Sequence, residues 1–121
     1  GHECTDAVVD DNDTIFEALY IKSADGDYAR ADASSSTTMP CVALSTTTDT
    51  GTGKTIILPN TYVRDDTWNW ISGGVIYVST TSGALTQTKP SGSGEIVQAI
   101  GYALDADTLY FDPDYTTIEL S

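Results

Sequence analysis

The chain has 121 residues, enough for one domain that buries its own core without metal or disulfide staples. Its 18 acidic residues, 14 of them Asp, face only five Lys plus Arg, and a net charge of −13 argues against a nucleic-acid or anionic-membrane partner, since both demand clustered basic side chains. Charged residues reach only 19%, and Ser, Thr and Gly fill the difference, the make-up of short strands joined by turns.

In chain order, Gly1-His2 reads as a scar of tag removal and is set aside. ECTDAVVDDNDT, from Glu3, is acidic and irregular, so residues 1–14 read as an N-terminal arm and residues 15–121 as a β domain. IFEALYIK (Ile15–Lys22) is a strand, because SADGDY supplies a turn and YARAD alternates as the return strand. SSSTTMP is a loop, CVALS (Cys41–Ser45) a short strand buried on both faces, and TTTDTGTG a turn.

GTGKT, Gly51 to Thr55, spells the end of a phosphate loop. That motif needs a first glycine five residues before Gly53, where Thr48 stands, and a helix after the lysine. The residues that follow, TIILPN, begin with three β-branched positions and reach Pro59, so no helix offers its dipole to a phosphate, and the reading is a glycine turn between strands. KTIILPN and TYVRDD are the next extended pieces. VIYVSTTSGALTQT is the clearest hairpin, IVQAIGYAL a buried strand with a bulge or close backbone approach at Gly101, and TLYF and TTIEL close the chain. The expected fold is all-β, a single small β-sandwich or β-barrel of about nine or ten short strands.

No constellation declares a chemistry. The one histidine, His2, provides no base for a serine or cysteine nucleophile, so no catalytic residue, cofactor or metal site is assigned. Asp65-Asp66, Asp105/Asp107 and Asp112/Asp114 are carboxylate pairs in turn-like contexts, where Asp bonds its own backbone. Asp10–Asp13 and Asp25/Asp27 offer oxygen ligands for calcium without matching the EF-hand pattern, and read as surface acids. Cys4 and Cys41 read as two unrelated thiols. Trp68 and Trp70 stand at alternate positions, on one side of a strand, and suit a core, a subunit interface or a sugar platform. The acidity also fits a chain at home in high salt, where self-repulsion is screened.

The stretch from Gly73 to Pro113, with its Gly-Gly, YVS strand, GALTQTKPSGSG loop, VQAIGYAL strand and closing YFDP, resembles a module of tailed-virus structural proteins. It is similar to capsid decoration and head-fibre-type proteins, and with YIKSADGDYARADAS and TTMP upstream the resemblance runs from about Leu19 to Leu120. It implies a non-enzymatic protein on the capsid exterior of the virion, which stabilises or decorates the shell. Its partners would be the major capsid protein and itself, as a homotrimer, with Trp68, Trp70 and Tyr77 as contact residues. The alternative it leaves is a carbohydrate- or receptor-binding module of a fibre.

Overall fold

The computed structural model describes residues 2–9, 15–46 and 50–121, with side chains from residue 7 onward. Among the described residues are twelve strands and one 3-10 turn (Ser36–Thr38), so the all-β expectation holds, with more strands than the nine or ten read from the sequence.

Five strands close a small barrel in the order β1 (His2–Val9), β3 (Tyr28–Arg30), β2 (Ala18–Ile21), β4 (Ala43–Ser45) and β5 (Gly51–Leu58). The first of the uncounted strands is β1. Part of the segment read as an irregular arm pairs antiparallel with β5, from His2 opposite Leu58 to Val9 opposite Gly51, and Val9 meets Tyr28 in parallel to shut the barrel. The stretch CTDAVV carries enough β-branched and alternating character to fill that seam once β5 is beside it, a long-range contact that no local pattern announces. The acidic run Asp10–Asp13 lies outside the described residues.

GTGKT is neither a phosphate loop nor the expected turn: it is the opening half of β5. The β1–β5 ladder carries one extra residue on β1 between Cys4 and Ala7, and one on β5 between Lys54 and Gly51. Gly53 sits at φ 68° and Gly51 at φ 129°, values that let the bulged strand turn where a side chain would resist.

The second sheet has the order β6 (Thr61–Arg64), β11 (Thr108–Phe111), β10 (Ala99–Asp105), β7 (Val75–Val78) and β8 (Leu85–Thr86), all antiparallel. The hairpin read in VIYVSTTSGALTQT is its β7–β8 pair. IVQAIGYAL divides in two: β9 (Ile96–Val97) pairs with the terminal β12 (Ile118–Glu119), and β10 carries on in the main sheet. Gln98 stands at the break, fully buried. Its Oε1 accepts from Cys41 N at 2.8 Å, and its Nε2 donates to the Cys41 and Asp114 carbonyls at 3.0 Å each. One amide thus ties the chain entering β4 to the C-terminal tail.

Two cores follow from strand alternation. Ala7, Val9, Leu19, Ala43 and Ile56 form the smaller one, inside the barrel. Their neighbours Ala18, Leu44 and Ile57 point outward and join Val63, Ile76, Val78, Ile100, Leu109 and Phe111 of the second sheet in the larger one. Strand β4 and the Ile56–Ile57 end of β5 are therefore buried on both faces, which is why CVALS reads as an unbroken apolar run. Gly101 is required where β10 bulges: its φ is 146°, and a Cβ there would overlap the Tyr110 carbonyl oxygen.

Candidate functional site

Two groups of aromatic side chains stand out. The first is a cleft of about 210 Å³ lined by Ile15, Phe16, Glu17, Trp68, Trp70 and Leu85, with Gly83 and Ala84. Trp68 and Trp70 lie in the connection between β6 and β7, not on a strand. The backbone is pinned there by non-repeating bonds. Trp68 N donates to the Asp65 carbonyl at 3.1 Å, Trp70 N to the Ala106 carbonyl at 2.9 Å, and Ile71 exchanges two bonds with the Gln87 side chain.

These bonds stack the indoles side by side, with centroids 5.4 Å apart and planes tilted by 50°. Phe16 packs on Trp68 at 5.7 Å with the same tilt. Phe16 is held at φ 56°, uncommon for a bulky residue, with its N–H bonded to the Ser45 carbonyl at 2.7 Å. All three rings lean on the larger core and are half-buried. The Trp70 Nε1 donor is sealed from solvent and has no protein partner.

Glu17, 8% exposed, also lines the cleft. Arg30 Nη1 approaches its Oε2 at 4.0 Å. A Cβ at Gly83 would overlap that Glu17 oxygen and meet Arg30 Cδ at 2.9 Å, so the glycine makes room for the charged pair.

The second group lies open on the outer face of the second sheet. Tyr62 of β6 is opposite Tyr110 of β11, Tyr110 is opposite Tyr102 of β10, and Tyr102 is opposite Val75 of β7. The register thus lays three tyrosines and a valine in one row across four strands. The Tyr62 and Tyr110 centroids are 5.0 Å apart and those of Tyr102 and Tyr110 5.5 Å, tilted rather than stacked flat. Tyr62 is 66% exposed, Val75 43% and Tyr102 42%, and Leu104 adds further apolar surface on β10. Tyr110, half-buried at the centre, donates its hydroxyl to Asn60 Oδ1 at 2.8 Å. Desolvation by its neighbours, with Asp112 nearby, pushes the Tyr110 phenol above its ordinary value and keeps it a donor. At the edge, Arg64 bonds Asp66 at 2.9 Å and reaches Asp107 at 3.5 Å.

Of the three residues assigned to an interface from sequence, the structure brings Trp68 and Trp70 together and leaves Tyr77 apart from them. Tyr77 is on β7, paired with Thr86 and Ala99, two residues from Val75 and so on the ladder's face. The ladder itself was missed. Its signal was present in TYV, GYA and LYF, each placing a tyrosine beside a core residue, but which three tyrosines align depends on register between strands up to fifty residues apart.

The acidic pairs are turn-builders. The Oδ1 atoms of Asp65, Asp105 and Asp114 each accept the N–H two residues on, at 2.9 Å. The bond from Asp107 N is the main reason the Asp105 carboxyl lies below the usual range. Asp25 does the same for Asp27 at 3.0 Å and pairs with Lys22 at 3.6 Å. Among the described residues no group of three or more His, Cys, Asp or Glu is placed to hold a metal. Cys41 is a free, fully buried thiol whose pKa burial pushes up to about 12. A polar cleft of about 260 Å³ between Ser79, Thr86, Lys89 and Glu95 is spanned by bonds from Ser91 N and Gly92 N to the Glu95 carboxylate. No helix among the described residues is long and apolar enough to cross a membrane. No protein-family model, curated protein or solved structure matches this chain.

Proposed function

We propose that the protein is a non-enzymatic assembly domain, whose task is to bind protein surfaces, and that its setting is the exterior of a tailed-virus capsid. The observation that carries this reading is the ladder Tyr62–Tyr110–Tyr102–Val75, an aromatic row on the outer face of a hydrogen-bonded sheet with Tyr62, Tyr102 and Val75 exposed. Tyrosines supply large contact area with few rotatable bonds and a polar tip, which is why they are enriched at protein interfaces. The resemblance of Gly73–Pro113 to capsid decoration modules supplies the setting, and a trimer is the assembly it implies. The charge of −13 opposes self-association at low salt and is screened at high salt.

Sedimentation velocity at 50 mM and 1 M NaCl tests this reading. The expected result is a species of three times the 12.8 kDa chain mass, favoured by salt and lost in Tyr62→Ser/Tyr102→Ser. A monomer at both salt concentrations overturns self-assembly. Saccharide binding lost in the same double variant would instead support the fibre reading, for which the open ring of Tyr62 is the favourable observation.

A further inference from the structure

The second sheet ends at β8 on one side and at β6 on the other, and the two edges differ. β8 has two residues, and the chain beside it is engaged: Gln87 exchanges bonds with Ile71, and Thr88 N donates to Thr86 Oγ1. β6 has four residues, pairs with β11 without a bulge and contains no proline or lysine, the devices that usually blunt an edge. Its one charge, Arg64, is drawn to Asp66 at 2.9 Å and to Asp107 at 3.5 Å, so it does not guard the edge as a free cation.

Asp65 N donates to the Asp107 carbonyl at 2.9 Å, so by the alternation of an antiparallel ladder Asp65 and Val63 bond towards β11. Tyr62 and Arg64 therefore turn their N–H and C=O groups the other way, to a side where no strand among the described residues pairs. A second β6 answers this pattern. In a twofold arrangement centred on Val63, Tyr62 of each copy stands opposite Arg64 of the other, and each such pair exchanges two backbone bonds. The same register sets Asp65 opposite Thr61 and Asp66 opposite Asn60, so no like charges face each other in spite of the net charge of −13. Other registers are worse. A slip of one residue sets outward groups against inward ones. A slip of two puts Arg64 opposite Arg64, or else opposite Asn60, whose N–H is already held by the Phe111 carbonyl.

We propose that two copies of this chain join edge to edge through β6, with Tyr62 opposite Arg64, making one ten-stranded sheet of two five-stranded ones. The Tyr62 ring lies beside the other copy's Arg64 guanidinium, and the tyrosine row runs on across the junction. This contact goes beyond the ladder reading, which concerns the face of the sheet and not its edge. A few backbone bonds make a weak contact, so it forms between copies crowded or held side by side, and not in dilute solution.

Disulfide trapping tests the register. Tyr62→Cys and Arg64→Cys, both at exposed positions, are purified separately and oxidised at high protein concentration, alone and mixed. The unsubstituted chain gives the background from Cys4 and Cys41. Paired Cα atoms about 5.5 Å apart suit a disulfide, whereas equivalent positions lie two residues further along, out of bridging range. The mixture should therefore yield about tenfold more disulfide dimer than either variant alone, with the two new thiols joined to each other on peptide mapping. Equal yields in mixed and single samples overturn the proposal, as does a mixture that gives no dimer above background. Amide exchange in the unsubstituted chain is the second measurement. The Tyr62 and Arg64 N–H groups should exchange readily in dilute protein and slow on concentration, while Val63 stays slow throughout; exchange at Tyr62 and Arg64 that ignores concentration also overturns it. Tyr102→Ser separates edge from ladder: introduced into both thiol variants it should leave the cross-linking yield unchanged, and a loss of yield would assign the contact to the ladder instead.

Discussion

The two aromatic groups are built from similar residues and end in opposite situations. The Trp68–Trp70–Phe16 group leans on the larger core and leaves only a cleft to solvent, whereas the Tyr62–Tyr110–Tyr102 row stands on the outer face of the sheet, with Tyr62 and Tyr102 exposed on either side of a half-buried Tyr110. Irregular backbone makes the first: bonds to Ala106 and Gln87 place the indoles where strand geometry would not. Regular pairing makes the second, since register alone aligns the tyrosines. An aromatic residue therefore belongs to the fold or to a surface according to the backbone that presents it, and the two groups should respond differently to substitution.

The harshest way to break the contrast acts on the sheet beneath the ladder. Gly101→Ala places a methyl group on the Tyr110 carbonyl oxygen at a φ of 146° and should cost about 3 kcal/mol or more. Chemical denaturation reads that loss, and near-UV circular dichroism reads the disordering of the tyrosine row. Next comes Trp68→Ala, which removes a half-buried ring packed on the core and should cost about 2 kcal/mol by the same denaturation.

Tyr102→Ser sharpens the contrast from the other side. It removes a cross-strand ring pair on an exposed face, worth under about 1 kcal/mol, and should abolish assembly while the midpoint of unfolding hardly moves. If Tyr102→Ser destabilised the fold as much as Trp68→Ala, the ladder would be a second core.

A separate prediction concerns pH. Burial raises the Cys41 thiol from 9.0 to about 12, so the folded chain keeps a proton that the unfolded chain releases. Stability from this group is complete below pH 9 and is lost as pH rises towards 12. Denaturation midpoints should fall across that window, and Cys41→Ala should lack that part of the slope.

Much of the fold was legible because its signals are local. The VIYVST–LTQT hairpin, the doubly buried CVALS and the bulge at Gly101 all announce themselves in a few residues, and the structure holds each of them. β1 was not legible: its acidic surroundings suggested an arm, and only pairing with β5, over forty residues away, makes it a strand. GTGKT failed for a related reason, since glycine signals a turn and a bulged strand alike, and the presence of β1 decides between them. At the candidate site, the importance of Trp68 and Trp70 was visible in their composition. Their shared side was expected from strand alternation and arises from a pinned loop. Glu17 joins them only through folding, from a position fifty-one residues before Trp68.

Concentration-dependent nitration of tyrosines, resolved by mass spectrometry, tests the ladder as an assembly surface most directly. Tyr115, 56% exposed and outside the row, serves as the internal reference. Tyr62 and Tyr102 should be modified readily in dilute protein and protected in concentrated, salt-screened protein, while Tyr115 reacts equally in both. Equal modification of Tyr62, Tyr102 and Tyr115 at every concentration would contradict the account, because the exposed row would then remain in water in the assembled protein.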